Sequence, residues 1–183
     1  MQFTLAYRGP LKSNARPKDK HALRCHFHKQ LQMLWANFPL KEYAAWLQPE
    51  SPTNELSVLK SVGAFTFAPL VSETSSNVAE LRISLLWPQA PGSIITGGGD
   101  IDNRLKTLFD ALKIPSEPTA LPRGAAPQGD ELPFFCLLED DSLITRVTVE
   151  TDRLLEKFIP PSEVVLAVHV VTRNLRSGWD TLP

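Results

Sequence analysis

The chain has 183 residues, 43% hydrophobic and 21% charged, which excludes a disordered chain and suits one domain with a core. The formal net charge of −1 argues against a uniformly basic surface and against an acidic disordered tail. Two cysteines do not make a secreted disulfide framework, and the sequence carries neither a signal-peptide pattern nor an apolar run near the ~20 residues of a membrane span. We therefore expect a cytoplasmic protein that contacts no membrane.

The first elements follow from the spacing of apolar residues. Alternation of apolar and polar residues predicts a strand that ends at Gly9-Pro10. After Pro17, apolar residues recur at spacings of four, four and three, which predicts an amphipathic helix to about Asn37. A short helix is expected around residues 43–47.

The middle of the chain combines two apolar segments with a second helix. Residues 63–71 and 79–87 are rich in β-branched and aromatic side chains, which predicts a hairpin joined by polar residues 72–77. Glycines and prolines interrupt the chain before Asp100, where a helix to about residue 112 is expected to begin. Residues 114–133 carry five prolines and two glycines, which predicts an extended loop.

The last part of the chain is predicted to form strands with one helical turn at Asp152–Phe158. These strands are expected at Phe134–Leu138, Ser142–Thr151 and Glu163–Thr172. Strands interrupted by two main helices predict an α/β (α+β) fold: a single domain over residues 1–183 with a mixed, largely antiparallel sheet packed against the two helices.

The segment most informative about chemistry is DIDNRLK at residues 100–106. Asp102 and Lys106 are four residues apart and so share one helix face, and ionised Asp100 and Asp102 are favoured by the free N–H groups of a helix N-terminus. These side chains alone also fit helix capping and a solvated ion pair.

A second acidic cluster, Glu139-Asp140-Asp141, falls in a turn between two predicted strands. Mg²⁺ takes oxygen ligands and keeps several waters, so Asp100, Asp102 and Asp141 predict a metal site for phosphate chemistry if folding brings the clusters together. Lys106 is then placed to offset charge on the phosphoryl group. The alternative is that Asp140 and Asp141 only form a turn.

The string DIDNRLKTLFDAL, followed later by EDDSLI and a hydrophobic strand, resembles the RusA family of Holliday junction resolvases. The resemblance is clearest from Asp100 to about Val149, and an N-terminal strand before a basic segment with Asn14 is also similar. It implies a small α/β homodimer that binds four-way DNA junctions and cuts them with Mg²⁺ or Mn²⁺. It also implies metal-ligand roles for Asp100, Asp102 and Asp141, with Asp140 beside them, and an essential catalytic role for Lys106. The stretch from residue 112 to 139 is longer than is usual in the family.

Positive charge is concentrated in residues 8–29, where seven Lys and Arg side chains face one Asp, so that the remainder of the chain has net charge −7. Lys and Arg side chains can neutralise the backbone phosphates of DNA without recognising its base sequence, so this segment predicts a DNA-binding surface. The alternative interpretation is a basic helix exposed to solvent. The predicted DNA-binding residues are Arg8, Lys12, Arg16, Lys18, Lys20, Arg24 and Lys29.

Two other sites in the sequence are weaker. His21, Cys25 and His28 share one face of the first helix, which suits zinc, but no fourth ligand is evident and a Cys25 nucleophile lacks an orienting acid. Residues 97–99 are three glycines without the Lys-Ser/Thr of a nucleotide-binding loop, so we interpret them as backbone freedom beside the metal site.

These observations together predict a Mg²⁺-dependent, structure-selective DNA endonuclease that resolves four-way junctions as a homodimer making paired nicks. Two alternatives remain at this point. One is a RusA-like module that binds nucleic acid or protein without turnover, and the other is a nuclease that acts on other DNA structures.

Overall fold

A computed structural model describes residues 1–51, 56–88, 101–156, 160 and 162–175. The described residues form seven strands, two α-helices and three short 3₁₀ segments. The 3₁₀ segments are Leu40–Leu47, Pro118–Ala120 and Asp141–Leu143. The strands are β1 (Gln2–Pro10), β2 (Lys60–Val62), β3 (Phe65–Val71), β4 (Asn77–Trp87), β5 (Phe134–Leu138), β6 (Ile144–Arg153) and β7 (Glu163–Asn174). The helices are α1 (Pro17–Trp35) and α2 (Ile101–Leu112). The predicted α+β class is thus confirmed.

The larger sheet has four strands in the order β1-β7-β4-β6. Strands β1 and β4 both pair antiparallel with β7, whereas β6 runs parallel to β4. Buried and partly buried residues alternate along β7, so one face of the sheet is turned to the core and the other is not. The core face includes Leu5, Leu81 and Val168.

The smaller sheet corrects the predicted hairpin and the predicted single sheet. Strand β3 pairs antiparallel with β2 and parallel with β5, while β4 belongs to the larger sheet. Every residue of β5 is buried, and so are six of the seven residues of β3. A strand that is covered on both faces has a continuous run of apolar residues in its sequence. Such a run predicts a strand but does not indicate which neighbouring strand it pairs with.

A buried polar turn carries the chain from β3 to β4 and from one sheet to the other. Asn77 Oδ1 accepts hydrogen bonds from the Ser75 hydroxyl (2.6 Å) and from the Ser72 backbone N–H (3.1 Å). The Asn77 amide also donates to the Leu70 carbonyl at 3.3 Å. Ser76 takes a positive φ of 51° to close the turn. These contacts bend the chain where the sequence had suggested a simple hairpin connection.

Helix α1 packs its apolar face against β5, α2 and β1. Pro17 occupies the first turn, where a missing N–H is harmless, and Asp19 Oδ2 accepts the Arg16 backbone N–H at 3.2 Å. Lys12 pairs with the same carboxylate at 2.7 Å. The start of α1 is therefore fixed by one acidic side chain.

We expect Asp19→Ala to lower the free energy of unfolding by about 1 kcal/mol at pH 7, because a helix-start hydrogen bond is lost. The Lys12 ammonium lowers the pKa of the Asp19 carboxyl below its ordinary value. A carboxyl whose pKa is lower in the folded state stabilises above its unfolded-state pKa and loses that effect as pH falls through the folded-state value. Urea unfolding of both proteins at pH 7 and near pH 3 checks this, and a difference that grows on acidification would contradict it.

The predicted loop at residues 114–133 is confirmed as a connection that contains only a short 3₁₀ segment. Ile114 and Leu121 are buried beside Phe65, Phe67 and Phe134, so the loop folds back onto the smaller sheet. Farther along, the Gln32 side chain of α1 donates to the Asp130 carbonyl at 3.4 Å. The loop is thus packed against α1 and the smaller sheet.

The helical turn predicted at Asp152–Phe158 is wrong for residues 152–156. Strand β6 continues to Arg153, and the Leu154 N–H donates to the Trp87 carbonyl at 2.7 Å, which prolongs the pairing with β4. Residues 157–159 lie outside the described part of the chain.

Candidate metal site and nucleic-acid interface

Helix α2 presents Asp102 and Lys106 to the outside. Both residues are exposed, while Leu108 and Leu112 are buried in the core. The polar and apolar faces predicted from the sequence are therefore confirmed for this helix. Asp100 and residues 97–99 lie outside the described residues.

Arg104 anchors the first turn of α2 to the larger sheet. Its guanidinium carbon lies 4.1 Å from the centroid of the Trp87 ring, and Nη1 donates to the Leu11 carbonyl. A cation over an aromatic face is attracted by the ring electrons. Sequence reasoning missed this residue, because a contact to Trp87 is invisible before the end of β4 is placed beside the helix.

The acidic cluster follows directly after β5. Asp140 Oδ1 accepts the Ser142 backbone N–H at 3.0 Å, and hydrogen bonding to Ser142 is the main reason that the pKa of Asp140 lies below its ordinary value. Glu139 points elsewhere, since it accepts the Glu73 N–H at 3.1 Å and pairs with Lys60 at 3.2 Å. Of the three acidic residues, Asp140 and Asp141 are therefore the two that do not bond to Lys60 or to the Glu73 N–H.

Lys113 brings these two carboxylates to a common point. Its ammonium lies 2.8 Å from Asp141 Oδ1 and 3.5 Å from Asp140 Oδ2. Burial lowers the pKa of Lys113, but the hydrogen bond to Asp141 and the charges of both aspartates raise it above its ordinary value. We call Asp140, Asp141 and Lys113 the acidic-pair cluster.

The acidic-pair cluster and Asp102 lie toward different ends of α2. Lys113 follows the last residue of the helix, whereas Asp102 is in its first turn. The rise along the axis from residue 102 to residue 112 is about 15 Å. Among the described residues, no group of three or more His, Cys, Asp or Glu side chains is arranged to hold a metal ion. A shared site with Asp100 stays a prediction, since that residue is not described.

The basic segment is less available than its sequence suggests. Arg8 is paired with Glu156 (2.6 Å) and Glu163 (2.8 Å), and Lys20 with Asp110 (2.6 Å). Arg24 is only 2% exposed and so does not belong to an exposed basic surface. With Lys12 held by Asp19, the exposed side chains that form no ion pair with another described residue are Arg16, Lys18 and Lys29.

A groove places a further cation next to two of these side chains. Arg123, from the loop, lines it together with Arg16 and Lys18, and Leu121 and Pro122 supply apolar surface between them. We call this surface the basic groove. The sequence offered one signal for Arg123, an isolated cation in a proline-rich loop, but nothing in the pattern placed it beside α1.

The histidines and cysteine of α1 serve packing. His28 Nδ1 accepts the Phe135 N–H at 2.9 Å, and the His21 ring stacks on Phe134 with centroids 5.9 Å apart. The Cys25 thiol donates to Glu131 Oε1 at 3.5 Å. Each of the three side chains considered for zinc thus contacts a core or loop neighbour.

Burial and the nearby Glu131 carboxylate raise the pKa of Cys25 to about 11 from an ordinary value of 9.0. At pH 8 we therefore expect alkylation by iodoacetamide to be about a hundredfold slower than for a free thiol, because only the thiolate reacts. The rate after unfolding in urea is the control and should return to the free-thiol value. A native rate equal to the unfolded rate would contradict the described position of Cys25.

A comparison with protein-family models, curated proteins and solved structures finds no match to this chain. Within the described residues, neither α-helix combines the length and the apolar character that crossing a membrane requires. The case for function therefore depends on the residues themselves.

Proposed function

We propose that this protein is a Mg²⁺- or Mn²⁺-dependent DNA endonuclease with a RusA-like fold that cuts branched DNA, with four-way junctions as its substrate. The observation that carries the proposal is the helix face with Asp102 and Lys106, four residues apart and both exposed. An exposed carboxylate and ammonium at the start of a helix suit phosphodiester chemistry, in which a cation and a Lys offset charge at the phosphorus.

The acidic-pair cluster supports a cation in the proposed site. Two carboxylates that converge on one ammonium can also converge on a metal ion, and carboxylate oxygen is the ligand that Mg²⁺ prefers. Asp140 and Asp141 would hold the ion, which when bound polarises a phosphoryl oxygen and activates water. The length of α2 separates Asp102 from this pair, so Asp100 and Asp102 would hold a separate ion at the start of the helix. Lys113 would have to leave the carboxylates when a metal binds.

The basic groove supports a DNA partner. Arg16, Lys18 and Arg123 line one surface without forming an ion pair to another described residue. Cations that are not already neutralised release counterions when they bind phosphates, whereas paired cations do not. An enzyme that recognises a branched shape needs backbone contacts of this kind more than base contacts.

We expect replacement of Arg16, Lys18 or Arg123 by Met to weaken junction binding and to reduce the slope of log affinity against log salt by about one per cation removed. Arg8→Met is the matched control, since Arg8 is held by two glutamates and should change the slope less. Binding measured by fluorescence anisotropy at several salt concentrations checks this. Equal slope changes for all four variants would contradict the proposed interface.

A homodimer is part of the proposal. Two-fold symmetry would give two identical sites, which is what paired nicks on a junction require. Strand β6 ends the larger sheet, and both its faces are largely exposed. Such an edge strand has unpaired backbone groups that a second chain can satisfy.

The deciding experiment compares labelled four-way junctions, flaps and linear duplexes incubated with the protein and Mg²⁺ or Mn²⁺. Preferential junction cleavage that stops on chelation is the expected result. Cleavage of flaps but not junctions would assign a nuclease for other DNA structures.

A second candidate function is a RusA-like binding module without turnover. The observation that favours it is Lys113, whose ammonium already occupies the position between Asp140 and Asp141. Junction binding with no cleavage in any divalent metal would support this function. In that case Lys113→Met should leave the protein inactive as well.

A further inference from the structure

A small polar pocket lies between α1 and the chain that leaves α2. Lys20 and Arg24 line it from α1, Asp110 from α2, and Lys113 and Ser116 from the residues that follow. This pocket is separate from the basic groove, which lies at the start of α1.

Arg24 is the unusual residue of this pocket. It is 2% exposed, and its Nη2 donates to the Asp110 backbone carbonyl at 2.7 Å. Its Nε and Nη1 have no hydrogen-bond partner among the described residues. A buried guanidinium normally has a carboxylate or phosphate partner, because an unpaired buried charge is costly.

The other charges at the pocket do not supply that partner. The Asp110 carboxylate is committed to Lys20, at 2.6 Å. Lys113 is paired with Asp141 and Asp140, which do not line the pocket. Three cations and one carboxylate line the pocket, and Asp140 and Asp141 lie behind Lys113. Arg24 is therefore the pocket cation that has no carboxylate partner among the described residues.

We propose that this pocket binds a single phosphate group. Its volume of about 150 Å³ is below the ~300 Å³ at which drug-sized ligand sites begin, and so suits a small oxyanion. Arg and Lys supply charge-assisted donors to phosphate oxygens, and the Ser116 hydroxyl adds a neutral one.

The pocket stands apart from the proposed nuclease activity, because phosphate binding requires neither a metal nor cleavage. Free phosphate and the bridging phosphate of a nucleic acid share this chemistry. Since Lys113 contacts both the pocket and the acidic pair, a backbone phosphate bound here would lie next to Asp140 and Asp141. A competition experiment distinguishes free phosphate from the bridging phosphate of a nucleic acid.

The test is a calorimetric titration of the full chain with inorganic phosphate. The protein is kept in a buffer that contains no other phosphate and no divalent metal. We expect saturable binding that Arg24→Met weakens at least about tenfold and Lys20→Met severalfold. Arg82→Met is the matched control, because Arg82 is an exposed arginine of β4 outside both this pocket and the basic groove, and it should bind phosphate as the wild type does. Thermal unfolding of each variant establishes that it is folded.

If Arg24→Met does not fold, Lys20→Met and Ser116→Ala provide the test at less buried positions. A dinucleotide with one bridging phosphate is then used as a competitor. Displacement of inorganic phosphate assigns the pocket to a nucleic-acid backbone, and failure to displace it assigns the pocket to free phosphate. Absence of saturable phosphate binding by the wild type, or equal weakening by Arg82→Met, would overturn the proposal. Absence of DNA cleavage alone would leave it intact.

Discussion

Asp102→Asn is expected to reduce cleavage of a four-way junction by about a thousandfold or more, which corresponds to about 4 kcal/mol of transition-state stabilisation. The amide has nearly the same shape as the carboxylate but lacks the charge that would hold a metal ion. Asp102 is exposed, so the variant should fold and should bind junctions as the wild type does. Gel-based cleavage and anisotropy binding measured on the same preparations separate the two effects.

Asp130→Asn is the matched control for that substitution. Asp130 is an exposed aspartate of the 114–133 loop and has no proposed metal role, so its variant should cleave at the wild-type rate. Equal cleavage by the wild type and Asp102→Asn would remove Asp102 from the proposed site. Loss of binding by Asp102→Asn would indicate a role in DNA contact.

Phe134→Ala is expected to lower the free energy of unfolding by about 3–5 kcal/mol, the typical effect of removing a buried aromatic side chain. Phe134 is fully buried in β5, and its ring centroid lies 4.5 Å from that of His28, 5.4 Å from Phe67 and 5.7 Å from Phe65. The substitution would leave a cavity between α1 and the smaller sheet. Urea unfolding of both proteins measures the difference.

The control is Leu155→Ala, at a position that is 86% exposed. Its unfolding free energy should stay within about 0.5 kcal/mol of the wild type, as is usual for surface substitutions. A loss below 1 kcal/mol for Phe134→Ala would mean that α1 does not pack on β5 as described.

Local patterns predicted the elements well and their pairing poorly. Alternation identified β1, and helical periodicity identified α1 and the outward position of Asp102 and Lys106 on α2. The exchange of sheets between β3 and β4 was missed, because both strands are apolar and are close in sequence. The side chains that redirect the chain, Ser72, Ser75 and Asn77, are typical of any polar turn.

For the candidate site too, the sequence predicted the positions of residues better than their contacts. The sequence placed Asp140 and Asp141 in a turn between two strands, but the partner that holds them, Lys113, follows the last residue of α2 and was not predicted. The number of cations available to DNA in residues 8–29 was overestimated, because the sequence does not show which cations form ion pairs with carboxylates. The carboxylates that neutralise Arg8 lie about 150 residues farther along the chain.

The pairing of β1 with β7 has a consequence for folding on the ribosome. Strand β1 has no described strand partner other than β7, which is synthesised after the other described strands. Contacts between residues so distant in sequence form slowly, since the intervening loop must close first. Until β7 emerges, the apolar face of β1 depends on α1 for cover. We therefore expect nascent chains halted before β7 to be held by chaperones and to be degraded readily by proteases.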